Sequence, residues 1–173
     1  MTKARKEVAK KQSTKKEWTW TSAGPIHAFL ACQGQDGSGR TLSDVLAFDD
    51  ARLDREHDFI QWLFPLREPS RAVPGSPVLG DAEAEAIRSD SLAQSGLLAA
   101  RVRMVRFYVQ TKGWLTAFDH NHLRITRILT SLRDLVGPGE ARAFYEDVLT
   151  LDRLAGSPVN PESLEYWRKA VEG

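Results

Sequence analysis

Nothing restricts the fold of this chain more than the spacing of its apolar residues after Ser91. Leu98, Val102, Val105 and Val109 recur at helical intervals. So do Ile125, Ile128, Leu129, Leu132 and Val136, then Phe144, Val148 and Leu151, then Leu164, Trp167 and Val171. Steps of three and four place each set on one side of an α-helix, and no stretch alternates apolar and polar residues as a half-buried strand would. The breaks between the sets carry helix-ending chemistry. Gly113 interrupts the first, Gly137-Pro138 stops the second and Gly156 the third, and Asn160-Pro161 puts a capping residue before a Pro at the first helical position. The spacing therefore predicts helices over Ser91–Gln110, from Asp119 to Gly137, through Phe144 to Gly156, and from Asn160 onward.

Upstream the signals are shorter. Thr41 with Asp44 three residues later is a helix N-cap with an acidic N3 residue, opening a short helix through Leu42, Val45 and Leu46. Asp50 begins the next, which must end before Pro65, and Asp81 caps an Ala/Glu-rich helix. Between them Pro69, Pro74, Gly75 and Pro77 mark a loop of about ten residues, long enough to bind something. Ile26-His27-Ala28-Phe29-Leu30 reads as a strand or a buried extended segment, and so short a run does not separate the two. Trp114, Leu115 and Phe118 read as packing residues of a loop or short helix. The expectation is all-α: a single-domain bundle of six or seven helices with an irregular N-terminal segment.

The chain of 173 residues suits one domain, residues 18–173, behind a Lys-rich tail at 1–17. That tail carries seven Lys or Arg against Glu7 and Glu17, which leaves 17 basic and 21 acidic side chains to the rest, a balance of −4. The tail reads as a solvated extension, the alternative being a basic arm for acidic lipid or nucleic acid helped by Trp18 and Trp20. The remainder has no field to draw nucleic acid. One cysteine, Cys32, forbids an intrachain disulfide and suits a reducing compartment. No apolar run approaches the ~20 residues that span a bilayer, and the N-terminus lacks the apolar core of a secretory signal, so a cytoplasmic protein without a transmembrane segment is expected.

Gly34 to Thr41 reads G-Q-D-G-S-G-R-T, the spacing of a phosphate-cradling loop except that Arg40 stands where the lysine belongs. A guanidinium does not replace a slim ammonium between phosphates, and no strand ending in Asp is present to hold magnesium, so a Gly-rich turn is the reading. Projected as one helix, Asp50 to Phe64 puts Leu53, Ile60, Leu63 and Phe64 on a core face, Asp50, Asp54, Asp58 and Gln61 on an acidic stripe, and His57 on the boundary. Asp54 and His57 have metal-ligand spacing, but no second carboxylate-x-x-His helix completes such a site, so no metal and no cofactor are expected. On the later helix His120, Arg124, Arg127 and Ser131 form a basic stripe, with His122 and Arg133 on its other edge. Two readings stay open for the paired stripes: an ion-pair ladder between packed helices, Arg124 and Arg127 against Asp54 and Asp58, or a surface for a carboxylate or phosphate. Arg101 projects between Leu97 and Val105 and so requires a carboxylate partner. No Gly-x-Ser-x-Gly elbow is present and no catalytic residue is assigned.

Gly39-Arg40-Thr41-Leu42, then Asp54 to Leu66 (DREHDFIQWLFPL), then His120 to Leu129 (HNHLRITRIL) resemble, in order, the conserved domain of the opioid growth factor receptor family over roughly residues 26–152. The resemblance implies a receptor-like binding domain. The animal members are described as receptors for the peptide Met-enkephalin, associated with the nucleus and nuclear envelope without a transmembrane helix. Peripheral membrane or nuclear-envelope association is thus compatible with it. The expected function is binding of a peptide or small anionic ligand, centred on His57, Asp58, Gln61, Trp62, Arg67, His120, Asn121, His122, Arg124 and Arg127. The alternative is an enzyme acting on a small anionic or nucleotide substrate, with His57, His120 or His122 as acid or base near Arg124 and Arg127.

Overall fold

The computed structural model describes residues 22–173, so the Lys-rich tail and the two tryptophans beside it lie outside the described residues. Within them the protein is all-α, as expected, with nine helices rather than six or seven. The two extra come from short elements. The run after Pro25 is not a strand but a helix, α1 (Pro25–Leu30), and the stretch from Asp50 is broken in two. α2 (Leu42–Leu46) opens on the expected capping box: the Asp44 N–H donates to Thr41 Oγ1 at 3.2 Å and the Thr41 N–H to Asp44 Oδ2 at 2.8 Å. α3 (Asp50–Arg55) is capped by Asp49. The chain then turns extended at Glu56 and re-enters a single helical turn, α4 (Ile60–Leu63), that stops before Pro65.

α5 (Asp81–Ser89) is preceded by Gly80, so Asp81 opens the helix rather than capping it. α6 (Ser91–Gln110) is capped by Asp90. α7 (His120–Leu135), α8 (Pro138–Leu154) and α9 (Pro161–Glu172) start at Asp119, Gly137 and Asn160, at or beside the residues the sequence marks. Gly137 has φ 139°, a backbone angle that glycine adopts without strain, which lets α7 end and α8 begin with no longer connection.

α7 packs most extensively against α8 and α9, while α1 lies on α6, α5 and α4. Ile125, Ile128, Leu129 and Leu132 of α7 are fully buried, as their spacing requires. The N-terminal layer is held by a carboxylate under α1. Glu83 Oε1 accepts the N–H groups of Ile26 and His27 at 2.8 and 2.9 Å, and His27 Nε2 meets Asp90 Oδ2 at 2.8 Å. Arg101 finds the expected partners on α8, Asp147 at 3.2 Å and Glu140 at 3.4 Å.

α6 overturns one expectation. Its buried face is Ala93, Gly96, Leu97, Ala100, Met104, Phe107 and Tyr108, whereas Leu98, Val102 and Val109 face outward. The cause is close approach. A Cβ on Gly96 would sit 2.1 Å from the Leu30 carbonyl oxygen, so α1 reaches α6 only over its small residues. A second correction concerns Phe118, which is exposed, while Trp114 beside it is buried with its indole N–H on the Tyr108 carbonyl at 3.0 Å.

Candidate functional site

Arg124 joins the two longer motif blocks, Asp54 to Leu66 and His120 to Leu129. From α7 its guanidinium donates to the carbonyls of Leu53 at 2.7 Å and Glu56 at 2.6 Å, approaches that of Asp54 at 3.4 Å, and donates to His57 Nδ1 at 3.0 Å. These carbonyls are the acceptors that α3 leaves unmet where it ends, so a buried cation caps the helix C-terminus. One turn on, Arg127 does the same for α4, donating from Nη1 to the Phe64 carbonyl at 3.1 Å. The ladder is therefore not formed. Asp54 receives Asn121 Nδ2 at 3.0 Å and Asp58 belongs to Arg40, because the break after Arg55 destroys the single helix face on which the acidic stripe depended. Burial lowers the pKa of both arginines from the usual value, and both stay charged.

A groove of about 680 Å³ opens beside this junction, floored by α7 and walled by α4 and the loop after Leu66. Six of the ten sequence-marked residues line it: His57, Gln61, Arg67, His120, Arg124 and Arg127. The other four lie elsewhere, Asp58 being held by Arg40 at 3.0 Å. Trp62 packs edge-on against Phe29, ring centroids 5.7 Å apart. Asn121 is buried behind the junction, bonding Asp54 and the Asp119 cap. His122 is buried between the Trp114 carbonyl, 2.8 Å from its Nε2, and the Trp167 ring.

Sequence reading missed part of the lining. Leu66, Pro69 and Ala72 come from the proline-marked loop, whose length hinted at binding without saying where it folds. Leu123, 72% exposed, stands one turn before Arg127 on the groove side of α7. Five arginines face Glu68 and Asp134 there, so the groove is net cationic. Arg67 pairs with Asp81 at 2.9 Å and Arg133 with Asp134 at 2.9 Å, which leaves Arg71, Arg124 and Arg127 without a carboxylate partner among the described residues.

At the rim the rings of His57 and His120 meet edge to face, centroids 5.2 Å apart. Because Arg124 can only donate, His57 Nδ1 must accept, which puts the proton of the neutral ring on Nε2. Burial first, then the charges of Arg124 and His120, hold the His57 pKa below its ordinary value, against the opposing pull of Asp54 and Asp58.

The phosphate-loop lookalike does something else. Arg40 is spread over three carboxylates: Asp36 at 2.6 Å, Glu56 at 2.9 Å and Asp58 at 3.0 Å. Asp36 also takes the N–H groups of Ser38 and Arg40, both at 2.9 Å. Arg40 is thus a fastener from the Gly-rich turn to the segment after α3. Glu56 ties the two arginine junctions together, its carboxylate on Arg40 and Arg52 and its carbonyl on Arg124.

Residues 40–117 match the family model described as the opioid growth factor receptor conserved region. The match holds α4 and the loop wall and stops short of α7. The chain is 33% identical over 141 residues to the opioid growth factor receptor of Rattus norvegicus and 34% identical over 141 residues to that of Homo sapiens, 69% of this chain in each case. It is 33% identical over 104 residues, half of this chain, to opioid growth factor receptor-like protein 1 of Mus musculus. These alignments span 24%, 20% and 22% of the relatives' own lengths, so the chain corresponds to less than a quarter of each. No solved structure matches it. The chain carries the opioid growth factor receptor conserved region and belongs to that family.

Proposed function

We propose that the domain binds a peptide, in the groove between α4, the loop after Leu66 and the floor helix α7. The observation that supports this most directly is the convergence there of both motif blocks on an amphipathic groove. Its apolar walls, Ile60, Leu66 and Leu123, lie next to guanidinium groups. A peptide supplies both apolar side chains and anionic groups, and the relatives are named as receptors for a growth factor.

Thermal unfolding with a panel of short peptides, nucleotides and divalent metals tests the reading. Peptides are expected to raise the melting temperature of the natural protein and to leave that of Leu123→Glu unmoved. The mutated side chain is solvent-facing, so the variant itself should melt normally. A shift produced by nucleotides alone, or a peptide shift that survives Leu123→Glu, would count against it.

A second reading, catalysis on a small anionic substrate, is favoured by the His57–His120 contact at the groove rim with Asp54 Oδ1 3.3 Å from His120 Nε2. It requires turnover of phosphate esters or nucleotides that disappears with His120→Ala, and a turnover screen with no signal ends it.

A further inference from the structure

We infer that the corner of the groove formed by Gln61, Leu123 and Arg127 is a subsite for the free carboxyl terminus of a peptide, an assignment that rests on the groove reading above. Arg127 makes one hydrogen bond, to the Phe64 carbonyl, and pairs with no carboxylate among the described residues. Its remaining donors are open to the groove, where a carboxylate can meet the planar fork.

Gln61 supplies the second observation. It is 2% exposed, its Oε1 has no donor, and its Nε2 reaches only Ser70 Oγ, at 3.3 Å. Turning the amide over exchanges its two ends and still leaves one unmet. A backbone amide carries both an N–H and a C=O and so satisfies whichever end is free. Only the 3.3 Å contact from Ser70 holds this amide, and an incoming backbone amide would replace it.

A carboxylate alone does not distinguish a chain terminus from an Asp or Glu side chain. The spacing of the walls does. Leu123 and Arg127 are four residues apart on one helix face, about 6 Å, with Ile60 and Leu66 also lining the groove. A C-terminal residue projects an apolar side chain and a carboxylate from the same Cα, with its own amide N–H one bond away. An internal acidic residue puts its carboxylate at the end of a flexible stem, and the nearest apolar side chain belongs to another residue. Three groups in this corner, one apolar, one cationic and one amide, match the three that a terminal residue presents.

Fluorescence anisotropy with labelled pentapeptide pools tests this. The pools carry an N-terminal fluorophore and Leu, Ile, Met, Phe, Val or Tyr at the last two positions. One ends in a free carboxylate, one in a carboxamide, and one in a carboxamide with an internal Glu. The free-carboxylate pool should bind about tenfold more tightly than either other pool, and Arg127→Gln should abolish the difference. Arg127→Lys, keeping charge without the fork, should retain part of it. Gln61→Met should weaken the carboxylate pool several-fold. Equal binding of carboxylate and carboxamide pools overturns the subsite while the groove stands. Equal binding of the internal-Glu pool overturns the choice of a terminus. Failure of all three pools to bind folded protein removes both. The wild-type comparison decides the matter even if Arg127→Gln fails to fold.

Discussion

α6 and α7 handle their apolar residues in opposite ways. α7 has one apolar face and one polar face. Its spacing points to Ile125, Ile128, Leu129, Leu132 and Val136; the first four are buried and Val136, the C-cap, is half-buried. α6 instead mixes apolar and polar residues around its circumference. Its stripe of Leu98, Val102 and Val109 is left in solvent, while Ala93, Gly96 and Ala100 go inside with Leu97, Met104, Phe107 and Tyr108. The difference shows that hydrophobicity selects a buried face only where there is a polar face to contrast with it. On α6 the choice went to the side that lets another backbone come close, and the contact of α1 with Gly96 is what the small residues make possible.

The largest expected effect lies where α7 meets α3. Arg124→Met keeps the stem but removes every donor from the Leu53 and Glu56 carbonyls, and should destabilise by about 4 kcal/mol, read by chemical denaturation. A loss below about 1 kcal/mol would mean that α3 does not depend on its foreign cap.

Next comes Gly96→Ala, which forces a methyl against the Leu30 carbonyl and should cost about 3 kcal/mol. The same substitution in an ordinary helix would be stabilising, because Ala is the better helix former. A neutral or positive result would therefore break the account of α6.

Val102→Ser, on the outward stripe at 62% exposure, should change stability by less than about 0.5 kcal/mol, against at least about 3 kcal/mol for Leu129→Ala on α7. Similar losses at the two sites would show that something covers the α6 stripe in solution.

The smallest effect is that of His57. Its folded pKa lies below the unfolded value near 6.5, so the unfolded chain takes up the proton first as pH falls. Stability should be complete above that value and decline between about pH 6.5 and the lower folded pKa. Burial first, then Arg124 and His120, set the shift against the pull of Asp54 and Asp58, and His57→Phe should flatten that part of the melting-temperature profile. A melting temperature indifferent to His57 between about pH 7.5 and about pH 5.5 would remove the coupling.

Much of the candidate site was legible, but the pairing of its charges was not. Gln61, His57, Arg67, His120, Arg124 and Arg127 can be marked from residue type and motif, and they converge on one groove. Their pairing could not be read. The projection of Asp50–Phe64 assumed a continuous helix, so Asp54 and Asp58 were set on one stripe opposite the arginines. The chain instead leaves the helix at Glu56, and the arginines take the carbonyls that this break exposes. Asp58 goes to Arg40, across a turn whose spacing suggested phosphate. Side chains advertise their charge in a sequence, whereas free backbone acceptors appear only once it is known where each helix ends.

The sequence by itself determined the helical class, the starts of the later helices and the core face of α7, because caps, breakers and a contrasting polar face act over a few residues. Tertiary structure decided which side of α6 is buried, what Arg124, Arg127 and Arg40 bind, and that the loop after Leu66 walls a groove floored by α7. Each of those depends on residues far apart in the chain, where close approach of two backbones or an unmet carbonyl outweighs any local preference.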